Sequence, residues 1–185
     1  MTISMNTRMP RGRGRAAGMR VAGLAVGLGL FLMPRSSAVG QDMGIETGTT
    51  APAAAVQTLD GKPANLDRYI GKTPVLIEFW ATWCPNCKEL EPQVKALHGK
   101  YGSRVRFVGV SVSVNQSPER VKRYVAKYGI PGDQYFDAKG NATGAYDVPA
   151  TSYVVILDRT GKVVYTGLGG DQKLEPVLLR VSQGR

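Results

Sequence analysis

The chain holds only two cysteines and one histidine in 185 residues. A structural zinc site built from four Cys or His ligands is one ligand short on that count. A covalent haem site needs histidine directly after the second cysteine, and Lys88 stands there. Long apolar runs are lacking too. The most conspicuous, Val21 to Met33, falls short of the ~20 residues that span a bilayer comfortably. No cysteine follows that run closely, so a lipid attachment site of the bacterial lipoprotein kind is excluded. There is no internal repeat, and no Lys/Arg stripe with interleaved aromatics of the kind that binds nucleic acid.

Acidic residues are absent from the first forty positions, which carry six arginines: Arg8, Arg11, Arg13, Arg15, Arg20 and Arg35. The net charge of +10 therefore resides largely in that stretch, and the remainder carries 18 bases against 14 acids. An Arg-rich start, the apolar run at 21–33, Pro34 and then Ser36-Ser37-Ala38-Val39-Gly40 describe a targeting segment with cleavage near Ala38 or Gly40. Residues 1–40 read as a signal peptide or, left uncut, as an N-terminal membrane anchor. Either way the folded part is expected to be periplasmic or otherwise extracytoplasmic. Residues 41–52 read as a linker, small and polar with Gly44, Gly48 and Pro52, and 53–185 as the folded domain.

Within the domain the pattern is mixed α/β. Ala53–Thr58 and Lys62–Ala64 flank Asp60-Gly61, a hairpin signal. Leu66–Tyr69 reads as a short helical turn. Val75–Trp80 is apolar apart from Glu78, as in a strand buried on both faces. Residues 84–101 place Leu90, Val94, Leu97 and Tyr101 at helical spacing. Val105–Val112 is a second buried strand. Ser117 caps a helix with Pro118 in its first turn, running to about Tyr128. A short helix at Ala142–Tyr146, strands at Ser152–Leu157 and Lys162–Thr166, and a helix over Gln172–Val181 complete the series. This order predicts a central sheet with helices on both faces.

The chemistry concentrates in Trp83-Cys84-Pro85-Asn86-Cys87-Lys88, which follows a strand and opens a helix. Unpaired N–H groups and the positive end of the helix dipole favour a thiolate there. Cys84 is thus expected to be an accessible thiolate of lowered pKa. Pro85 fits the first helical position. Cys87 lies one turn on, pointing inward and within disulfide reach. Cys84 would attack a partner disulfide, and Cys87 would then attack Cys84 and release the reduced partner. A purely structural disulfide would close a very short loop and stabilise little. Glu78 is the second residue of interest. Buried beneath the cysteines, it would have a raised pKa and could accept the Cys87 proton. Alternatively it faces outward from an edge strand or pairs with Lys72 or Lys88. Glu89 and Glu91 read as solvated, and His98 as solvent-facing without a catalytic role.

The segment Val75-Leu-Ile-Glu-Phe-Trp-Ala-Thr-Trp-Cys-Pro-Asn-Cys87, with Pro92 beyond it, resembles the active-site stretch of thioredoxin-fold proteins. Its Phe79–Cys84 form resembles the TlpA/ResA-like branch of exported thiol–disulfide oxidoreductases. Ala51-Pro52 and Asp60-Gly61-Lys62 resemble that branch's N-terminal β-hairpin. Ser117–Pro131, Phe136-Asp137 and Tyr146-Asp147-Val148 resemble its inserted strand–helix unit, and Asp158 to Val164 its terminal hairpin. The fold implied is a thioredoxin fold: a central mixed sheet flanked by helices, with that hairpin and that insert. The chain departs from the family at three places. Leu90 stands where members often carry Glu, and Glu78 stands where they often have a neutral residue. Where the family has a cis-proline facing the cysteines, an ungapped match gives Ser152 preceded by Thr151; a shifted loop would supply Pro149 instead.

The resemblance implies no organic cofactor. It implies protein partners with thiols or disulfides, docked against Trp83, Pro85, Thr151 and Ser152 or Pro149. Typical tasks are reducing apo-cytochrome c before haem attachment, in cytochrome c maturation, or reducing cysteines of copper-site proteins. Electrons would come from a membrane or periplasmic thiol reductase. The other class of reading is a copper metallochaperone using both thiolates, since soft sulfur suits Cu(I). Ser152 in place of proline, leaving the thiols open to a metal ion, favours that reading.

Overall fold

A computed structural model describes residues 43–184. The Arg-rich start, the apolar run at 21–33 and the cleavage region near Ala38 or Gly40 lie outside the described residues. Among the described residues no helix is long and apolar enough to cross a membrane.

The centre of the fold is β3 (Val75–Trp80), whose alternating side chains feed two different cores. Val75, Ile77 and Phe79 pack with Val56, Tyr135 and Tyr146 on one face. Leu76 packs on the other face with Leu90, Val94 and Leu97. Trp80, on that same face by parity, packs with both cysteines and Val121. Glu78 shares the parity of Leu76 and Trp80, so it belongs to the face that Leu90, Val94 and Leu97 cover.

Parallel neighbours β4 (Arg106–Val112) and β5 (Asp133–Asp137) extend the sheet on one side of β3. On the other side, β6 (Tyr153–Leu157) runs antiparallel to β3, and β7 (Val163–Leu168) antiparallel to β6. A hairpin of β1 (Ala55–Thr58) and β2 (Pro63–Asn65) attaches through β1 to β5. The seven strands lie in the order β2-β1-β5-β4-β3-β6-β7. The helices are α1 (Pro85–Tyr101), α2 (Pro118–Tyr128), α3 (Asn141–Ala145) and α4 (Leu174–Ser182). A 3-10 turn covers Leu66–Arg68. The N-cap of α2 is Ser117, whose side chain accepts from the Arg120 N–H at 3.3 Å. Its C-terminus closes on Gly129 at φ 61, the left-handed conformation glycine adopts freely.

Two features differ from the residue pattern. β5 carries Asp at both ends, and its five residues show no run that marks a strand. It is a strand because β4 and β1 both pair with it. The stretch read as a linker is docked from Ile45 onward. Gly48 N–H donates to Val163 O, Val163 N–H to Thr49 O, and Ala51 N–H to Gly161 O. Ile45 and Ala51 are buried in the core.

Candidate active site

The parallel strands β3, β4 and β5 all end on one side of the sheet, where crevices of α/β proteins collect ligands. The turn that leaves β3 there leads into Cys84, the N-cap of α1. Cys84 and Cys87 form a disulfide, with Cα atoms 5.3 Å apart. The Cys87 N–H donates to the Cys84 sulfur at 3.1 Å, so one orphan amide of the helix start is aimed at that sulfur. Pro85 takes the first helical position at no cost in hydrogen bonds.

Accessibility departs from expectation. Cys84 is 2% exposed and Cys87 6%, so both cysteines are buried in this disulfide form. Both sit in a cluster with Trp80, Ala81, Val112, Val121 and Phe136. What separates the two cysteines is their surroundings. Cys84 receives the helix-head amide, whereas Cys87 lines a small cavity beside Glu91 and Tyr124.

A residue far along the chain steadies the turn before Cys84. The Gln116 side-chain oxygen accepts from both the Thr82 N–H (3.0 Å) and the Thr82 hydroxyl (2.9 Å). Its amide nitrogen donates to Ser111 Oγ at 2.8 Å, which ties the turn to β4. Nothing local in the sequence marks Gln116, because its partners lie on separate elements. Trp83 is anchored in turn by its indole N–H, which donates to Val114 O at 2.8 Å.

The residues expected to dock a partner divide. Trp83 and Thr151 line a groove of about 510 Å³ together with Val112, Val114, Val148 and Ala150. Pro85 is exposed at the helix head. Pro149 is exposed and Ser152 fully buried, and neither lines the groove. Every described peptide bond is trans. Ser152 has φ 66, a left-handed conformation that costs a non-glycine residue about 1–3 kcal/mol. Four hydrogen bonds hold it there. Its N–H donates to Phe79 O at 2.8 Å, and its hydroxyl to Gly169 O at 3.0 Å. Its carbonyl accepts from Gly169 N–H and from the Gln172 side chain, both at 3.1 Å. Proline fits neither that φ nor that donor role. Ser152→Pro is expected to destabilise the domain by about 3 kcal/mol or more. Ser152→Gly trades one hydrogen bond for relief of strain and should stay near neutral. Urea unfolding of the two variants checks this; equal stabilities would show that the serine conformation is not required.

Glu78 is on β3 within the sheet, not on an edge, and no described lysine forms an ion pair with it. It lines a cavity of about 20 Å³ with Trp80, Cys87, Glu91, Val94 and Tyr124. That is room for about one water. Trp80's buried indole N–H has no hydrogen-bond partner among the described residues. Across the sheet, Gly109 stands beside Glu78 and Gln134 beside Gly109. A Cβ at Gly109 would lie 2.1 Å from the Gln134 side-chain oxygen, so glycine makes the space on this row. Burial first, then the nearby Glu91 charge, push the Glu78 carboxyl up to about 8.

Glu91 corrects the reading of a solvated surface acid. It is half-buried, accepts from Lys95 Nζ at 2.6 Å and from the Tyr124 hydroxyl at 3.2 Å, and faces the cavity. Its spacing of four from Cys87, one helical turn, was the available signal. Leu90 is wholly buried in the apolar core beneath α1.

The family model for Redoxin matches residues 46–180. The thioredoxin-like protein YneN of Bacillus subtilis is 30% identical over 136 residues, covering 73% of this chain and 79% of that protein. The thiol-disulfide oxidoreductase ResA of Bacillus anthracis is 29% identical over 140 residues, covering 75% and 80%. A crystal structure of a putative thiol:disulfide interchange protein DsbE from Chlorobium tepidum shares the fold. It superposes with TM-score 0.66 at 23% identity, over 76% of this chain and 99% of that one. With a paired Cys-x-x-Cys at the head of α1 and these relatives, the chain belongs to the Redoxin family, as a TlpA/ResA-like thiol–disulfide oxidoreductase with a thioredoxin fold.

Proposed function

We propose that the protein reduces disulfides of other proteins outside the cytoplasm, through the dithiol and disulfide forms of Cys84 and Cys87. The observation that carries this reading is the pair's position, at a helix head beside an apolar groove. Cys84 as thiolate attacks one sulfur of the partner disulfide. A mixed disulfide forms, and the partner's other sulfur leaves with the electron pair. Cys87 gives its proton to Glu78, attacks the Cys84 sulfur, and expels the partner's second sulfur as thiolate. The protein ends oxidised and the partner holds two thiols. A membrane or periplasmic thiol reductase returns two electrons. Apo-cytochrome c and copper-site proteins are the partner classes proposed. The leader at 1–40 supports the extracytoplasmic site of action, whether cleaved or kept as an anchor through 21–33.

The copper-carrier reading loses the feature that favoured it. Ser152 opens no path to the sulfurs, because it is buried and its hydroxyl is committed to Gly169 O. Insulin reduction by the dithiol form, run beside a Cu(I) titration of the same form, tests the choice. Turnover with weak copper binding is expected. Tight stoichiometric copper binding without turnover would overturn the reductase reading.

A further inference from the structure

Glu78 is not the only carboxylate on the Cys87 cavity. We propose that Glu91 is a positioning residue for the resolving step: sharing that cavity, its charge governs when Glu78 is free to take the Cys87 proton. The inference rests on the reading of Glu78 as proton acceptor and adds its control.

The geometry is a closed set of groups. From β3 comes Glu78, and from α1 come Cys87, Glu91 and, one turn further, Lys95. From α2 comes Tyr124, and the loop after α2 contributes only Ile130 and Pro131. The row behind Glu78 holds Gly109 and Gln134, which carry no charge. Glu78 therefore faces one other anion and no direct cation. Lys95 reaches Glu91 and the Tyr128 carbonyl but not Glu78. Tyr124 is held in its protonated form by burial and by Glu91, so it serves as a donor to Glu91.

Like charges in a poorly solvated space cannot both ionise cheaply. An anionic Glu91 thus keeps a proton on Glu78. With Glu78 held near 8, its proton affinity approaches the ~8.5 of an ordinary thiol, and transfer between the two is close to balanced. In the step itself the Cys87 S–H bond breaks and its proton goes to the Glu78 carboxylate. The Cys87 sulfur then bonds to Cys84, and the partner sulfur leaves with the electron pair. Glu91 takes no part in bond making.

The test uses the reduced protein and Ellman's disulfide in stopped flow. The first thionitrobenzoate release reports attack by Cys84, and the second reports resolution by Cys87. Glu91→Gln is expected to move the midpoint of the second release to lower pH and to speed it several-fold near pH 6. Glu91→Asp should restore the original midpoint. Lys95→Gln, at a more exposed position, removes the cation that offsets Glu91 and should move the midpoint up. Glu78→Gln should remove this ionisation altogether. Should Glu78→Gln remove it while Glu91→Gln and Lys95→Gln leave the midpoint in place, the role of Glu91 is overturned and that of Glu78 stands. A Glu78→Gln profile identical to the parent overturns both.

Discussion

Replacing Cys84 with alanine is expected to reduce insulin turnover to the uncatalysed level, while Cys87→Ala leaves attack intact and traps the partner. The asymmetry follows from the two environments. Only the Cys84 sulfur accepts the amide at the helix head, so only Cys84 has a structural reason to be a thiolate at neutral pH. Cys87 shares with Trp80, Glu78 and Val94 the lining of a cavity with room for about one water. In the proposed mechanism it gives its proton to the neighbouring Glu78 carboxylate before it becomes a nucleophile. Non-reducing mass spectrometry after mixing Cys87→Ala with a cysteine-bearing partner should show a stable covalent adduct at Cys84. Full turnover by Cys84→Ala would refute the assignment. The burial of Cys84 in the disulfide adds a condition: a reductant must uncover this sulfur before it can attack.

The second large effect belongs to Glu78. Glu78→Gln is expected to slow resolution by about 10²-fold, the range of a single well-placed acid–base group. The same substitution should change how stability depends on pH. The folded carboxyl sits at about 8, above the 4.5 of an unperturbed glutamate, because burial disfavours the charged form. A raised carboxyl gives stability that is complete below the unfolded value and is lost as pH climbs towards the folded one. The oxidised parent should therefore weaken between about pH 4.5 and 8 and then level off, while Glu78→Gln lacks this component. The gap at alkaline pH has an upper bound of about 5 kcal/mol from 1.36 kcal/mol per unit. Glu78 is only half-buried, and the solvent it keeps lowers that bound. Urea unfolding from pH 5 to 9 measures the effect, and parallel curves for the two proteins would show that Glu78 is ionised in the fold throughout.

Much of the domain is legible from short stretches of chain. VLIEFW at 75–80 forms the strand its pattern predicts, and Ser117-Pro118 starts α2 where a cap and a first-turn proline should. The placement of Cys84 at the cap of α1 belongs to the same class. Such signals lie within a few residues of the structure they specify. Glu78 was readable for a related reason: one carboxylate in an apolar strand stands out against its neighbours. Ser152 was readable as a departure from a family pattern, but not its φ or its commitment to Gly169 and Gln172.

What the sequence determined unaided is the chemistry: a cysteine at a helix start, a second one turn away, and an acid in the strand before them. Tertiary structure alone decided that 133–137 is a strand, that Gln116 braces the turn before Cys84, and that Glu91 shares a cavity with Cys87. Periodicity and caps are written in adjacent residues. A shared cavity depends on how β3, α1 and α2 pack together, and no short window of sequence contains all three.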